Sequence, residues 1–385
     1  MGAARAKNKP PGWKVRTAEG AEAFIPDPLP PQIVWTPQLL RSLSEADRAV
    51  GRLAAEGARL PNPHLLIRPF VRREAVLSSR IEGTQATLGE VLAAEMGAHV
   101  DRAPDDLREV ANYVAALEHG LSRLPKLPLS LRLVREIHTK LMKGVRGHRA
   151  TPGEFRRTQN WIGPPGAPIE QATFVPPPPN EVGTALSAWE RFLHDRSLPP
   201  LVQIALFHYQ FEAIHPFLDG NGRVGRLLIS LFLVERDVLP TPLLYLSAFF
   251  ERRRREYYDR LWAVSERGDW EAWLAYFLEG VARQAEDAVA RASRIQDLLA
   301  AWRTTSAAAG AKIGPALVDL LAENPYCTAG SVSERLAVAY TTAQRAIHKL
   351  EGLRILKKAT EARRGRVWCA TELLAALNGE ENPFE

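Results

Sequence analysis

Cysteine is nearly absent from this chain: two residues in 385, Cys327 and Cys369, both in the last sixth. Two thiols without a paired spacing exclude a disulfide framework and fit a reducing compartment, and no Cys/His spacing forms a zinc site. Long apolar runs are missing too. No stretch of eighteen apolar residues occurs, which excludes a transmembrane helix. The segment from Met1 to Val15 is basic and polar without an apolar centre, so no secretory signal is expected, and Ala6 stands where a myristoylation signal needs Ser or Thr. Strong charge of either sign is also lacking. Lys and Arg number 50 against 44 Asp and Glu, an excess that permits an anionic ligand without demanding one. There is no internal repeat. The expected class is a cytoplasmic protein with no membrane partner, and 46% hydrophobic residues over this length suffice for two or three domains.

What is present is helical periodicity, punctuated by proline. Pro26-Asp27-Pro28-Leu29-Pro30-Pro31 marks extended, wrapping chain near the start. Apolar spacing then predicts helices over Thr36–Gly57, Pro69–Ser79, Leu88–Met96, Asp105–Leu121 and Ser130–Met142, the last two opened by residues that can cap them. Between Thr151 and Asn180 the pattern changes. Two short β-prone runs, Trp161-Ile162-Gly163 and Phe174-Val175, flank a Pro/Gly turn and read as a hairpin or flap. Helices return over Glu181–His194, Pro200–Ile214, Gly225–Arg236, Leu246–Arg267 and Trp270–Ala308. From Lys312 three short helices precede two β-prone runs, Ile355–Thr360 and Arg366–Ala370, the order of a winged helix-turn-helix. That segment, to Leu377, carries ten Lys/Arg against six Asp/Glu.

The densest chemistry lies in His215-Pro216-Phe217-Leu218-Asp219-Gly220-Asn221-Gly222-Arg223-Val224-Gly225-Arg226. Gly220 to Gly225 match the dinucleotide pattern G-x-G-x-x-G, but a helical segment precedes them where that fold needs a strand, and no acidic residue follows near Tyr245. His208 and His215 lack a third metal ligand. A polyphosphate site accounts for every group. Gly220 and Gly222 let backbone approach an anion at a helix N-terminus, and Asn221 adds an amide. Arg223 and Arg226, three apart on the new helix, can grip successive phosphates. Asp219 offers a carboxylate to Mg2+, and a neutral His215 can take a proton from an attacking hydroxyl.

The string from His215 to Arg226 resembles the motif H-x-F-x-[D/E]-G-N-G-R-x-x-R of the Fic (Fido-fold) family without a departure, and Gly153-Glu154-Phe155-Arg156 with Gln159-Asn160 is similar to that family's flap region. The resemblance covers roughly Leu129 to Gly280. It implies a mainly α fold, a helical Fic core with a β-hairpin flap, and transfer of AMP from ATP to a hydroxyl of a target protein. It further implies His215 as general base, Asp219 as Mg2+ ligand, Gly220, Asn221, Gly222 and Arg223 as anion cradle, and Arg226 as holder of the γ-phosphate. The cradle does not read the base, so another nucleotide donor remains open. So does a DNA-binding regulator whose Fic core senses nucleotide.

Upstream, Ser78-Ser79-Arg80-Ile81-Glu82-Gly83 resembles the family's inhibitory signature [S/T]-x-x-x-E-[G/N] through Ser78, Glu82 and Gly83. It implies that Glu82 pairs with Arg226 and removes the guanidinium needed by the γ-phosphate. The expected organisation is an N-terminal helical region (1–125) with the inhibitory helix, the Fic core (126–285), a linking helix (286–311) and the winged helix (312–385). In the last, Thr342, Arg345, His348 and Lys349 face out, Ala343, Ala346, Ile347 and Leu350 face in, and Arg363, Arg364 and Arg366 mark the wing. Expected partners are a target protein with an exposed hydroxyl placed against the flap, the chain itself as a self-modification substrate, a second copy in a homodimer, and DNA or a docking protein at the winged helix.

Overall fold

The computed structural model describes residues 11–59, 63–145, 151–164, 166–360 and 366–379. In chain order the elements are β1 (Gly12–Arg16), β2 (Glu22–Pro26), α1 (Pro37–Arg59), α2 (Pro63–Ile81), α3 (Leu88–Glu95), α4 (Pro104–Arg123), α5 (Leu131–Leu141), α6 (Pro179–Leu193), α7 (Pro200–Ile214), α8 (Asn221–Glu235), α9 (Ser247–Arg252), α10 (Arg254–Arg267), α11 (Trp270–Ala308), α12 (Gly314–Glu323), β3 (Tyr326–Cys327), α13 (Ala329–Arg335), α14 (Tyr340–Gly352), β4 (Lys357–Lys358), β5 (Trp368–Cys369) and α15 (Thr371–Asn378). The mainly helical expectation holds. Contacts group these elements into two compact units that are not contiguous in sequence. One takes the chain up to Arg52 with Asn112–Ala285, the other Leu53–Ala111 with the chain from Glu286. No helix among the described residues is long and apolar enough to cross a membrane.

In the first unit α7 is the central post. Its helical spacing predicts one apolar face, yet only Pro200 and Glu212 escape burial. Trp189 from α6 and Trp273 from α11 pack on it, and each indole N–H donates to an α7 carbonyl, Phe207 O and Ala205 O, both at 2.9 Å. Burying such side chains is worth roughly 1.5–3 kcal/mol apiece, so the register of α7 is firmly set. Helix α8 lies directly against it. A Cβ on Gly225 would fall 2.3 Å from Glu212 Oε1 and 3.3 Å from Phe211 Cδ1, so this glycine of the motif serves helix packing.

Ahead of the proline run comes an antiparallel hairpin, β1 with β2, for which the sequence pattern carried no expectation. Its turn uses Gly20 at φ 89°. The hairpin buttresses the flap: Phe24 N–H donates to Val175 O at 2.9 Å, and Ala23, Ile169 and Val175 share a small core. Gln210 Nε2 on α7 donates to Asp27 O at 2.9 Å, which anchors the chain after β2. The predicted helix over Leu246–Arg267 is broken at Arg253 (φ −117°, ψ 37°) into α9 and α10.

The second unit joins α2 and α3 to the C-terminal elements. Arg68 Nη1 meets Glu323 Oε2 at 2.7 Å, Arg72 Nε meets Glu95 Oε1 at 2.7 Å, and Asn324 Nδ2 donates to Leu92 O at 3.0 Å. Strands β3, β5 and β4 form a small antiparallel sheet in that order. On α14, Ala343, Ala346, Ile347 and Leu350 are buried as the spacing predicts, Arg345, His348 and Lys349 are exposed, and Thr342 is half-buried. Arg363 and Arg364 lie outside the described residues.

Candidate active site

The motif forms where α7 ends and α8 begins. His215 closes α7 in the left-handed conformation (φ 49°, ψ 60°), unusual for a side chain with a Cβ, and its N–H still reaches Phe211 O at 3.0 Å. The imidazole is half-buried. Its Nδ1–H donates to Glu212 O at 3.3 Å, which places the ring lone pair on Nε2. A neutral imidazole held in that tautomer is what a general base requires.

The turn from His215 to Gly220 is held by side chains whose polar atoms go to its backbone. Arg156 is almost fully buried. Its Nε donates to His215 O at 2.9 Å, Nη2 to Pro177 O at 2.5 Å and Ile214 O at 3.4 Å, Nη1 to Thr158 O at 3.3 Å, and its own N–H to Pro216 O at 2.9 Å. Burial lowers this guanidinium to about 10 without costing it its charge at neutral pH. Asn160 Nδ2 adds a bond to Phe217 O at 2.8 Å.

Asn221 departs from expectation. Its side-chain Oδ1 accepts from Phe217 N–H at 2.8 Å and its Nδ2 donates to Phe217 O at 2.9 Å. The amide ties the loop to itself instead of facing an anion. What faces forward is backbone. Gly220 (φ 79°) caps α8, the intrahelical ladder starts with Val224 N–H to Gly220 O at 3.0 Å, and the first-turn N–H groups of Asn221 and Gly222 precede it. Helix geometry concentrates partial positive charge there. A Cβ on Gly220 would also sit 2.9 Å from Met142 Sδ, so φ and packing both demand glycine.

Arg223 and Arg226 project from α8 and are 4% and 2% exposed. Arg223 Nη2 lies 3.6 Å from Asp219 Oδ1 and 3.8 Å from Met142 Sδ. The Asp219 side chain is 46% exposed and also takes the Gly220 N–H at 2.5 Å. Beneath α8, His208 is fully buried with Nε2 2.8 Å from Tyr257 Oη. Burial first, then the Arg226 charge, lowers it to about 3, so it stays neutral. Among the described residues no group of three or more His, Cys, Asp or Glu could hold a metal. Any cation here would share Asp219 with a bound phosphate, an arrangement that suits Mg2+.

These features coincide with a family match. Residues 128–233 match the Fic/DOC family, and residues 40–122 match the Fic/DOC family N-terminal region. The chain carries a Fic domain. Protein adenylyltransferase Fic of Drosophila grimshawi is 30% identical over 197 residues, covering 49% of this chain and 37% of that protein. The chain thus spans little more than a third of the length of such relatives. Among solved structures, a Fic family protein from Desulfovibrio desulfuricans superposes with a TM-score of 0.59 at 22% identity, covering 89% of this chain and 98% of that one. Fic-1 of C. elegans gives 0.53 at 24%, covering 68% and 75%. At those identities the structures attest the Fic fold.

Other predicted residues fall nearby or elsewhere. Among the described residues the flap pairs through one bridge, Ile162 with Phe174. Trp161 and Ile162 are exposed, Gly163 is exposed, Phe174 is half-buried and Val175 buried. Ser78 is buried in α2, Glu82 lies exposed just past its end, and Gly83 (φ 101°) turns the chain away. His138 is a site neighbour that sequence reasoning missed. It lies on the apolar stripe of α5 with Val134, Ile137 and Leu141, all buried; a polar residue on such a stripe was the available signal.

Proposed function

We propose that the chain is a protein adenylyltransferase, moving AMP from ATP to a Ser, Thr or Tyr hydroxyl of a target protein and releasing pyrophosphate. The observation that carries this reading is the His215 turn, in which the Nδ1 bond to Glu212 O leaves Nε2 as the basic nitrogen on the segment that leads into α8. The hydroxyl oxygen attacks the α-phosphorus, its proton passes to His215 Nε2, and the bond from the α-phosphorus to the bridging oxygen of the β-phosphate breaks. Backbone N–H groups of the α8 first turn stabilise the anion, and Arg223 and Arg226 hold the phosphates in line. Mg2+ held by Asp219 and the phosphates would neutralise charge on the departing pyrophosphate. The names of the curated relatives support the reading. Its test is transfer of label from α-labelled ATP to protein: His215→Ala should lose ~10²–10⁴-fold, and a folded variant with full transfer refutes the mechanism. Label from another nucleotide in place of ATP would change the donor.

The flap supplies a docking edge for the target in this reading. Ile162 exchanges both backbone bonds with Phe174 (2.8 and 3.1 Å), so alternation turns the backbone groups of Trp161 and Gly163 outward. The Val175 side is engaged by Phe24. A target strand therefore adds along Trp161–Gly163, which fixes a hydroxyl with little demand on sequence.

The same reading includes a brake. In it, Glu82 just past the end of α2 holds transfer down. Glu82→Gly should raise AMP transfer, including self-labelling; equal or lower transfer from a folded variant sinks the brake. The C-terminal module, whose element order is that of a winged helix-turn-helix, selects the target. A low-salt gel shift of DNA by the full chain would assign it to nucleic acid instead.

A further inference from the structure

We propose that His138 is a positioning residue for the transfer site, joining the turn that presents the Asp219 carboxylate to the loop that leads into Arg156. The proposal rests on the adenylyltransferase reading, since it concerns how that site holds its nucleotide and cation.

His138 is fully buried on α5. Its two ring nitrogens serve two loops and neither serves its own helix. Gly153 N–H donates to Nδ1 at 2.8 Å, which fixes Nδ1 as the acceptor. The ring proton therefore sits on Nε2, which donates to Asp219 O at 3.0 Å. A third contact locks the plane: the ring stacks on Phe217 of the motif with centroids 3.7 Å apart and planes within 4°. Gly220 completes the platform, since a Cβ there would lie 3.5 Å from His138 Nε2.

A buried filler would need none of this. Leucine or phenylalanine would occupy the volume, but would strand a backbone N–H and a backbone C=O away from water. The two groups belong to the segments that carry Arg156 and Asp219, so the imidazole sets the spacing between them. Asp219 acts from its side chain, but its Cα–Cβ direction follows from where its carbonyl is pinned. Partners behind a metal ligand commonly change affinity or activity by about 10–100-fold when lost.

The experiment measures Mg2+-dependent ATP binding by calorimetry alongside AMP transfer, in the full chain and three variants. His138→Phe keeps the stack and removes both hydrogen bonds. His138→Gln carries an amide nitrogen near the Nε2 position and can still reach Asp219 O. His138→Asn has an oxygen near Nδ1 for Gly153 but falls short of Asp219. The proposal expects Phe and Asn to weaken ATP binding in Mg2+ by about tenfold or more and to shift the Mg2+ titration midpoint upward. Binding without Mg2+ should change little, and Gln should restore most of the loss. It is overturned if Phe matches the parent midpoint, or if Gln, Asn and Phe lose ATP binding equally in proportion to their loss of thermal stability. Should Phe not fold, the Gln and Asn pair carries the same contrast. A parent protein that binds Mg2+-ATP but transfers no AMP would fail the functional reading and leave this one standing.

Discussion

The His215–Gly220 turn and the Trp161–Val175 flap adjoin one another, but they are built in opposite ways. In the turn, the carbonyls of Ile214, His215, Pro216, Phe217 and Asp219 are all engaged by Arg156, Asn160, Asn221 or His138. Among its described residues the flap is held by the Ile162–Phe174 bridge, local turn bonds over 164–172, an indole bond from Trp161 Nε1 to Ala167 O at 3.0 Å, and the brace from Phe24. Phosphoryl-type chemistry is mostly positioning, so a small displacement of the base is expensive. Recognition through a strand edge tolerates adjustment, because backbone geometry is the same for every sequence. On the proposed reading, hydrogen bonding is concentrated around the base and sparse where a target would dock.

Arg156 offers the strongest way to break that contrast. Arg156→Met keeps much of the apolar stem but withdraws four side-chain contacts to buried or half-buried carbonyls. Stability should fall by about 3 kcal/mol and AMP transfer by about 10²-fold, read from urea unfolding and initial rates. Arg156→Lys should rescue little, because a single ammonium cannot span carbonyls from Thr158 to Ile214. A Met variant with parental rates would mean the turn holds itself.

A second effect, of intermediate size, distinguishes the post from the flap by pH. His208 sits in α7 with its folded value lowered to about 3, below the ordinary 6.5. The unfolded chain takes up the proton more readily, so this residue lowers stability as pH falls from 6.5 toward 3 and leaves it unchanged above. At pH 5 the loss relative to neutral pH is about 2 kcal/mol. His208→Gln should flatten that part of the curve of unfolding free energy against pH; an unchanged slope would place the proton uptake elsewhere. The flap holds no histidine, so its proteolytic exposure should not follow the same titration.

The motif was legible because a histidine, a carboxylate and two guanidiniums within twelve positions constrain many residue types at once. The jobs within it were less so. Nothing in the string separates an amide that meets an anion from one that folds its own loop, and Asn221 is the second kind. Gly225 completed a dinucleotide-like pattern in the sequence but answers to α7 packing. Arg156 was visible beside Gly153, but its reach to His215 depends on chain closure across some sixty positions, which local pattern does not carry. The β1–β2 hairpin was hidden by the prolines around it, although Trp13 to Val15 and Ala23 to Ile25 flank a turn at Gly20. The break at Arg253 has no Pro or Gly to announce it.

The smallest effect should come from the flap. Trp161 is 39% exposed and its indole already bonds within the flap, so Trp161→Ala withdraws surface and one hydrogen bond from an edge that packs little. Thermal stability should change within the usual range for a surface site, about 0.5 kcal/mol. The Fic turn is untouched, so kcat and ATP affinity should hold. If the target strand lies along Trp161–Gly163, KM for the protein substrate should rise several-fold, equivalent to about 1 kcal/mol of lost contact. Self-labelling at a segment that does not use the flap would be unaffected, which makes it the internal control. A fall in kcat with an unchanged KM would instead couple the flap to the turn and erase the distinction between them.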